Sequence, residues 1–68
     1  MNRVKQYRKQ HELSQKELAD QVQIARQTLS LIETGKYNPS LEICLKLAWE
    51  LETDLNTLFW RDPTIEEE

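Results

Sequence analysis

Residues 14–35, SQKELADQVQIARQTLSLIETG, decide the fold. Ser14 can accept from the free N–H groups of an opening helix, and Glu17, three residues on, can return the bond to complete a capping box. Leu13 before the cap and Leu18 after it have the spacing of a hydrophobic staple. Leu18, Ala19 and Val22 then form one apolar stripe at helical period. Ile24 breaks that period, and a second pattern starts near Ala25 or Arg26 and stops at Gly35, a residue suited to the left-handed end of a helix. The stretch therefore predicts two short helices joined by a tight turn.

Working outward, the flanks read as helices too. Residues 2–11 place Val4 and Tyr7 on an inner face, with Arg8 beside it; a buried Arg needs an acidic partner. His11, at the end of this helix, is expected to be a solvated terminus residue that suits the dipole. Pro39 forbids helix at Asn38 and leaves Ser40 to cap a fourth helix. On that helix, residues 41–51, Leu41, Cys44, Leu45, Leu47, Ala48 and Leu51 are expected to form the apolar face, with Ile43 and Trp49 off it. Asp54 caps a short fifth helix containing Leu55, Leu58 and Phe59.

The sum is an all-α single domain, since 68 residues leave no room for a second core. A domain of this size buries only about 60% of its unfolded surface. No run approaches the roughly 18 apolar residues that cross a bilayer, and with no apolar signal region a cytoplasmic location is expected. The single cysteine, Cys44, cannot form an internal disulfide and reads as a small core residue. With one His and one Cys, neither a metal site nor a cofactor is expected. No triad, metal set or phosphate loop suggests an enzyme.

Charge is divided along the chain. Residues 1–36 carry a net +3 and residues 37–68 a net −6. One basic half and one acidic half suit a small protein that turns a single face to a polyanion. The basic half also holds an unusual helix surface. At 100° per residue, Leu29 and Ile32 of the helix over 26–34 face a core. Gln27, Ser30, Leu31 and Thr34 point the other way, with Arg26 at the leading edge and Thr28 at the boundary. Solvated helix faces usually carry Lys and Glu; this one is short, polar and nearly uncharged. Gln and Arg can make paired hydrogen bonds to base edges, Ser and Thr can donate or accept, and Leu31 can meet a thymine methyl.

The sequence LSQKELADQVQIARQTLSLIETGKYNPSLEICLKLAWEL, followed by DLNTLF, resembles the Cro/C1-type (XRE) helix-turn-helix family over about residues 2–60, in particular its small stand-alone members. The resemblance implies a five-helix, lambda-repressor-like DNA-binding domain, its third helix in the major groove and its second bracing it. By position, Gln15 matches a residue that contacts a phosphate and can bond the first recognition side chains. Arg26, Gln27, Thr28, Ser30 and Leu31 match recognition positions. Thr34, Lys36 and Asn38 match the backbone-contacting end of the helix and its loop. Arg8 and Glu33 match a buried ion pair tying the first helix to the third. This chain departs from the family at Glu12, Gln23 and Glu52, where Gly is common, and at Ala25, where Ser is. A non-Gly residue held left-handed costs roughly 1–2 kcal/mol, and a missing N-cap side chain about 1 kcal/mol.

The resulting expectation is a sequence-specific regulator that binds double-stranded DNA as a homodimer on a pseudo-palindromic operator, its recognition helices about 34 Å apart. Trp49, Phe59, Trp60 and Ile65 are the expected dimer contacts, with residues 59–65 pairing as a short strand across the two-fold axis. Residues 1–60 would form the domain, and residues 61–68 an acidic tail contributing to dimerisation. The alternative is a protein-interaction module, an antitoxin or adaptor, on the same fold; the acidic half and the surplus aromatic residues motivate it.

Overall fold

The computed structural model describes residues 2–59. Within them lie five helices and no strand: α1 (Val4–Gln10), α2 (Gln15–Val22), α3 (Arg26–Glu33), α4 (Leu41–Glu50) and α5 (Leu55–Phe59). Local chemistry sets most of their ends. The Ser14 hydroxyl accepts from the Glu17 N–H at 3.0 Å, and the Glu17 carboxylate accepts from the Ser14 N–H at 2.8 Å, closing the capping box. Ser40 caps α4 through the Ile43 N–H at 3.3 Å, and Asp54 accepts from the Thr57 N–H at 2.8 Å. Ala25 opens α3 with no side-chain cap. At the far end of α3 the Lys36 N–H reaches the Leu31 carbonyl at 2.9 Å across Gly35, whose φ of 78° carries no steric penalty.

Three other helix ends use the same left-handed turn without glycine. Glu12, Gln23 and Glu52 have φ of 58°, 64° and 55°. These are the three positions where the resemblance implies Gly, so the backbone takes the left-handed turn and carries the strain.

One core joins the helices: Val4 from α1, Leu18, Ala19 and Val22 from α2, Leu29 and Ile32 from α3, Leu47, Ala48 and Leu51 from α4 and its end, and Leu58 from α5. Helix α2 packs against both α3 and α4, α1 against α3, and α5 against α4. Leu13 lies against this core, as a staple residue should.

The expected face of α4 needs correction. Leu41 and Leu45 are exposed, at 65% and 51%, and Ile43 packs on the core instead. The apolar arc of the helix is broad, lying opposite Glu42, Lys46 and Glu50, so its sequence allows several rotations within that arc; the packing selects the one that buries Leu47 and Ala48. Leu41, Leu45 and Trp49 then share an outward stripe at four-residue spacing. Cys44 is half-buried, and its burial pushes the thiol above its ordinary pKa. His11 is not merely a solvated terminus: its Nε2 lies 2.9 Å from the Leu51 carbonyl, linking the ends of α1 and α4.

Candidate nucleic-acid interface

The site is built on α3, which α2 and the core hold in place. Leu29 and Ile32 are fully buried and pin its inner side. Gln27, Leu31 and Thr34 lie on the exposed side, Leu31 at 44% exposure, while Thr28 and Ser30 are half-buried at its margins. Arg26, Gln27, Ser30 and Leu31 line one shallow concavity of about 320 Å³. Its walls offer a guanidinium, an amide, a hydroxyl and one apolar surface. This is a set able to satisfy the hydrogen-bonding edge of a base pair and the methyl beside it.

Thr34 differs from its expected role. Its hydroxyl lies 3.1 Å from both the Ser30 and the Leu31 carbonyls of its own helix. A hydroxyl has one proton to donate, so in this rotamer it cannot also donate to a phosphate. Lys36 and Asn38 are exposed in the loop that follows. A second hollow of about 170 Å³ lies there, between Asn2, Gly35, Tyr37, Asn38, Pro39 and Phe59.

A buried ion pair stands behind the exposed face. The Arg8 Nε donates to the Glu33 carboxylate at 2.7 Å, and the Arg8 Nη1 donates to the Leu13 carbonyl at 2.8 Å. Both side chains are nearly inaccessible, so each charge depends on the other. The same carboxylate accepts from the Gln15 Nε2 at 3.0 Å, and the Gln15 Oε1 accepts from the Arg26 Nη1 at 3.2 Å. The sequence suggested each end of this chain separately; no spacing rule indicated that Glu33 would join them. Nor did any signal indicate the N-terminal clasp. Asn2 donates to the Ile32 carbonyl at 2.7 Å, and Arg3 reaches the Thr57 and Leu58 carbonyls at 2.8 Å each.

Of the residues expected at a dimer interface, Trp49 is 82% exposed, whereas Phe59 packs partly against the core. Trp60, Ile65, the strand expected over 59–65 and the acidic tail lie outside the described residues, apart from Phe59, which is the last residue of α5. No helix among the described residues is long and apolar enough to cross a membrane.

A helix-turn-helix family model matches residues 4–58, from the start of α1 to the penultimate residue of α5. The chain belongs to the Cro/C1-type helix-turn-helix family. This is a family of DNA-binding transcriptional regulators and not of enzymes. An uncharacterized helix-turn-helix transcriptional regulator of Methanocaldococcus jannaschii is 47% identical over 47 residues, 69% of this chain and 71% of that protein. The N-terminal DNA-binding domain of SinR from Bacillus subtilis superposes with a TM-score of 0.76 at 35% identity, covering 94% of this chain and 91% of that one. A chain of the SinR–SinI complex superposes with a TM-score of 0.82 at 33% identity; the match covers 96% of this chain and 64% of that one.

Proposed function

We propose that this family member is a sequence-specific transcriptional regulator that binds double-stranded DNA in the cytoplasm as a homodimer, with α3 in the major groove. One observation carries the reading. The exposed face of α3 presents Arg26, Gln27, Ser30 and Leu31 around a single concavity, in the basic half of an otherwise acidic chain. Gln27, Ser30, Leu31 and Thr28 would meet base edges. Lys36, Asn38 and the remaining N–H of Gln15 would meet phosphates and fix register. Thr34 would join them only after its hydroxyl turns from its own helix. Two copies on a pseudo-palindromic operator multiply these few contacts through effective concentration. Trp49 supplies exposed aromatic surface for that association, and Trp60 and Ile65 are further candidates.

The test is selection from a random duplex library, followed by titration of the selected site at increasing salt. A single enriched motif with half-sites about one helical turn apart is expected, with affinity falling steeply as salt rises. No enriched motif, or binding indifferent to salt, would overturn the reading. Sedimentation at high micromolar concentration should show a dimer, and a monomer there removes the homodimer.

The second reading is a protein-interaction module of the antitoxin or adaptor kind. It is favoured by the outward stripe of Leu41, Leu45 and Trp49, an apolar surface that DNA has no use for. SinR, a structural neighbour, is itself known in complex with the protein SinI. A chain that forms stable complexes with another protein but selects no DNA motif would be of this second kind.

A further inference from the structure

The hydrogen bonds behind α3 converge on Glu33: the Arg8 guanidinium donates to its carboxylate from one side, and from the other the Gln15 Nε2 donates to it while the Gln15 Oε1 accepts from Arg26. We propose that Glu33 is a positioning residue for base recognition, holding Arg26 through Gln15 so that Arg26 reads a guanine in each half-site. The inference rests on the DNA-binding reading above and assigns the base that one side chain of that site would choose.

The orientation of the Gln15 amide follows from its two neighbours. In the observed orientation its Nε2 faces the Glu33 carboxylate at 3.0 Å and its Oε1 faces the Arg26 Nη1 at 3.2 Å. Exchanging the two ends would set oxygen against a carboxylate and N–H against a guanidinium, losing both bonds to like-with-like contacts. Glu33 is itself enclosed, at 6% exposure, and bonded by Arg8 at 2.7 Å. A fixed acceptor therefore points outward from Gln15, the first residue of α2, toward Arg26, the first residue of α3.

An exposed Arg at the leading end of a helix would otherwise sample many rotamers, including ones that reach a phosphate. With Nη1 tied to Gln15, the planar fork keeps its Nε–Nη2 edge for another partner. Two parallel N–H donors at that spacing match the O6 and N7 acceptors of guanine, and no other base offers two adjacent acceptors in the major groove. Gln15 thus lends Arg26 a heading, and Glu33 supplies the heading to Gln15.

The experiment compares base preferences of the full chain and three variants by selection from the same random duplex library, with the salt slope measured on each selected site. The variants are Arg26→Met, Gln15→Met, and Arg8→Met combined with Glu33→Met. The last replaces the buried pair with apolar side chains, because removing one charge alone would strand the other; circular dichroism verifies its fold. If that double variant does not fold, Gln15→Met carries the test, since it leaves the ion pair intact.

All three variants should lose preference for guanine at the same position of each half-site, on the order of tenfold. The other positions should keep their preferences, and in the Gln15 and double variants the salt slope should stay the same. A role in stability alone would weaken every position equally. The proposal is overturned if the Gln15 or double variant retains the guanine preference, if the double variant loses preference at all positions together, or if Arg26→Met changes no base preference. Failure of the unmodified chain to enrich any motif instead removes the DNA-binding reading, and this inference with it.

Discussion

The outer face of α3 and the outer face of α4 both expose large apolar side chains, yet they are suited to different partners. On α3 a single Leu, Leu31, sits among Arg26, Gln27 and Ser30 in the basic half of the chain. On α4 Leu41, Leu45 and Trp49 follow one another in the acidic half, beside Glu42. Exposure alone does not identify a binding face. The surrounding charge, and the hydrogen-bonding groups beside the apolar one, decide whether a polyanion or a protein surface can settle there. The two faces differ in support as well. Behind α3 lies a buried ion pair; behind α4 lie the apolar side chains of Ile43, Leu47 and Ala48.

That difference in support can be broken most severely at its charge. Glu33→Ala leaves Arg8 buried without its partner and should destabilise the fold by about 3–5 kcal/mol in urea denaturation, whereas the paired Arg8→Met, Glu33→Met change should be close to neutral. Within α4, Leu47→Ala should cost about 2–5 kcal/mol. Leu45→Ala, two residues away on the outward stripe, should stay within about 0.5 kcal/mol of the parent. Equal losses at the two leucines would refute the observed rotation of the helix. On the recognition side, Gln27→Ala should lower specific DNA binding by about 1–3 kcal/mol while leaving non-specific binding nearly intact, read by competition titration.

The smaller effects concern the ends of helices. Gln23→Gly should stabilise by about 0.5–1 kcal/mol, the relief of a left-handed side chain less the added freedom of glycine in the unfolded chain. The Asp54 cap should respond to acid. Its carboxyl is held below its usual pKa first by the Thr57 N–H and then by the Thr57 side chain. A depressed folded-state pKa means that its contribution is complete at neutral pH and lost as pH falls through the carboxylate range. Asp54→Ala should remove that part of the acid dependence of thermal unfolding.

What the residues announced beforehand were features of local chemistry. Ser14 with Glu17, Ser40, Gly35 and Asp54 mark helix ends through bonds only a few residues long, and a reader of the sequence can place them. The inner and outer sides of α3 were equally legible, because Leu29 and Ile32 give it a single apolar stripe. Helix α4 offers no such stripe. Its apolar arc is broad, opposite Glu42, Lys46 and Glu50; which part of that arc is buried depends on what α2 and α5 present to it, and local spacing cannot express that. The bond from Gln15 to Glu33 was hidden for the same reason. It joins residues 18 positions apart, and only the packing of α2 against α3 makes them neighbours.

The clasp at the N-terminus has a consequence in time. Most contacts in a bundle of short helices are local and form quickly. The bond from the Arg3 N–H to the Leu58 carbonyl, and that from its guanidinium to Thr57 at a separation of 54 residues, require nearly the whole chain to be in place first. Loop-closure entropy should place them among the last interactions made on folding and the first released on unfolding. Arg3→Met should therefore raise the unfolding rate and leave the folding rate almost unchanged. The clasp would act less as a strut than as a latch, setting how long the molecule stays folded once it has formed.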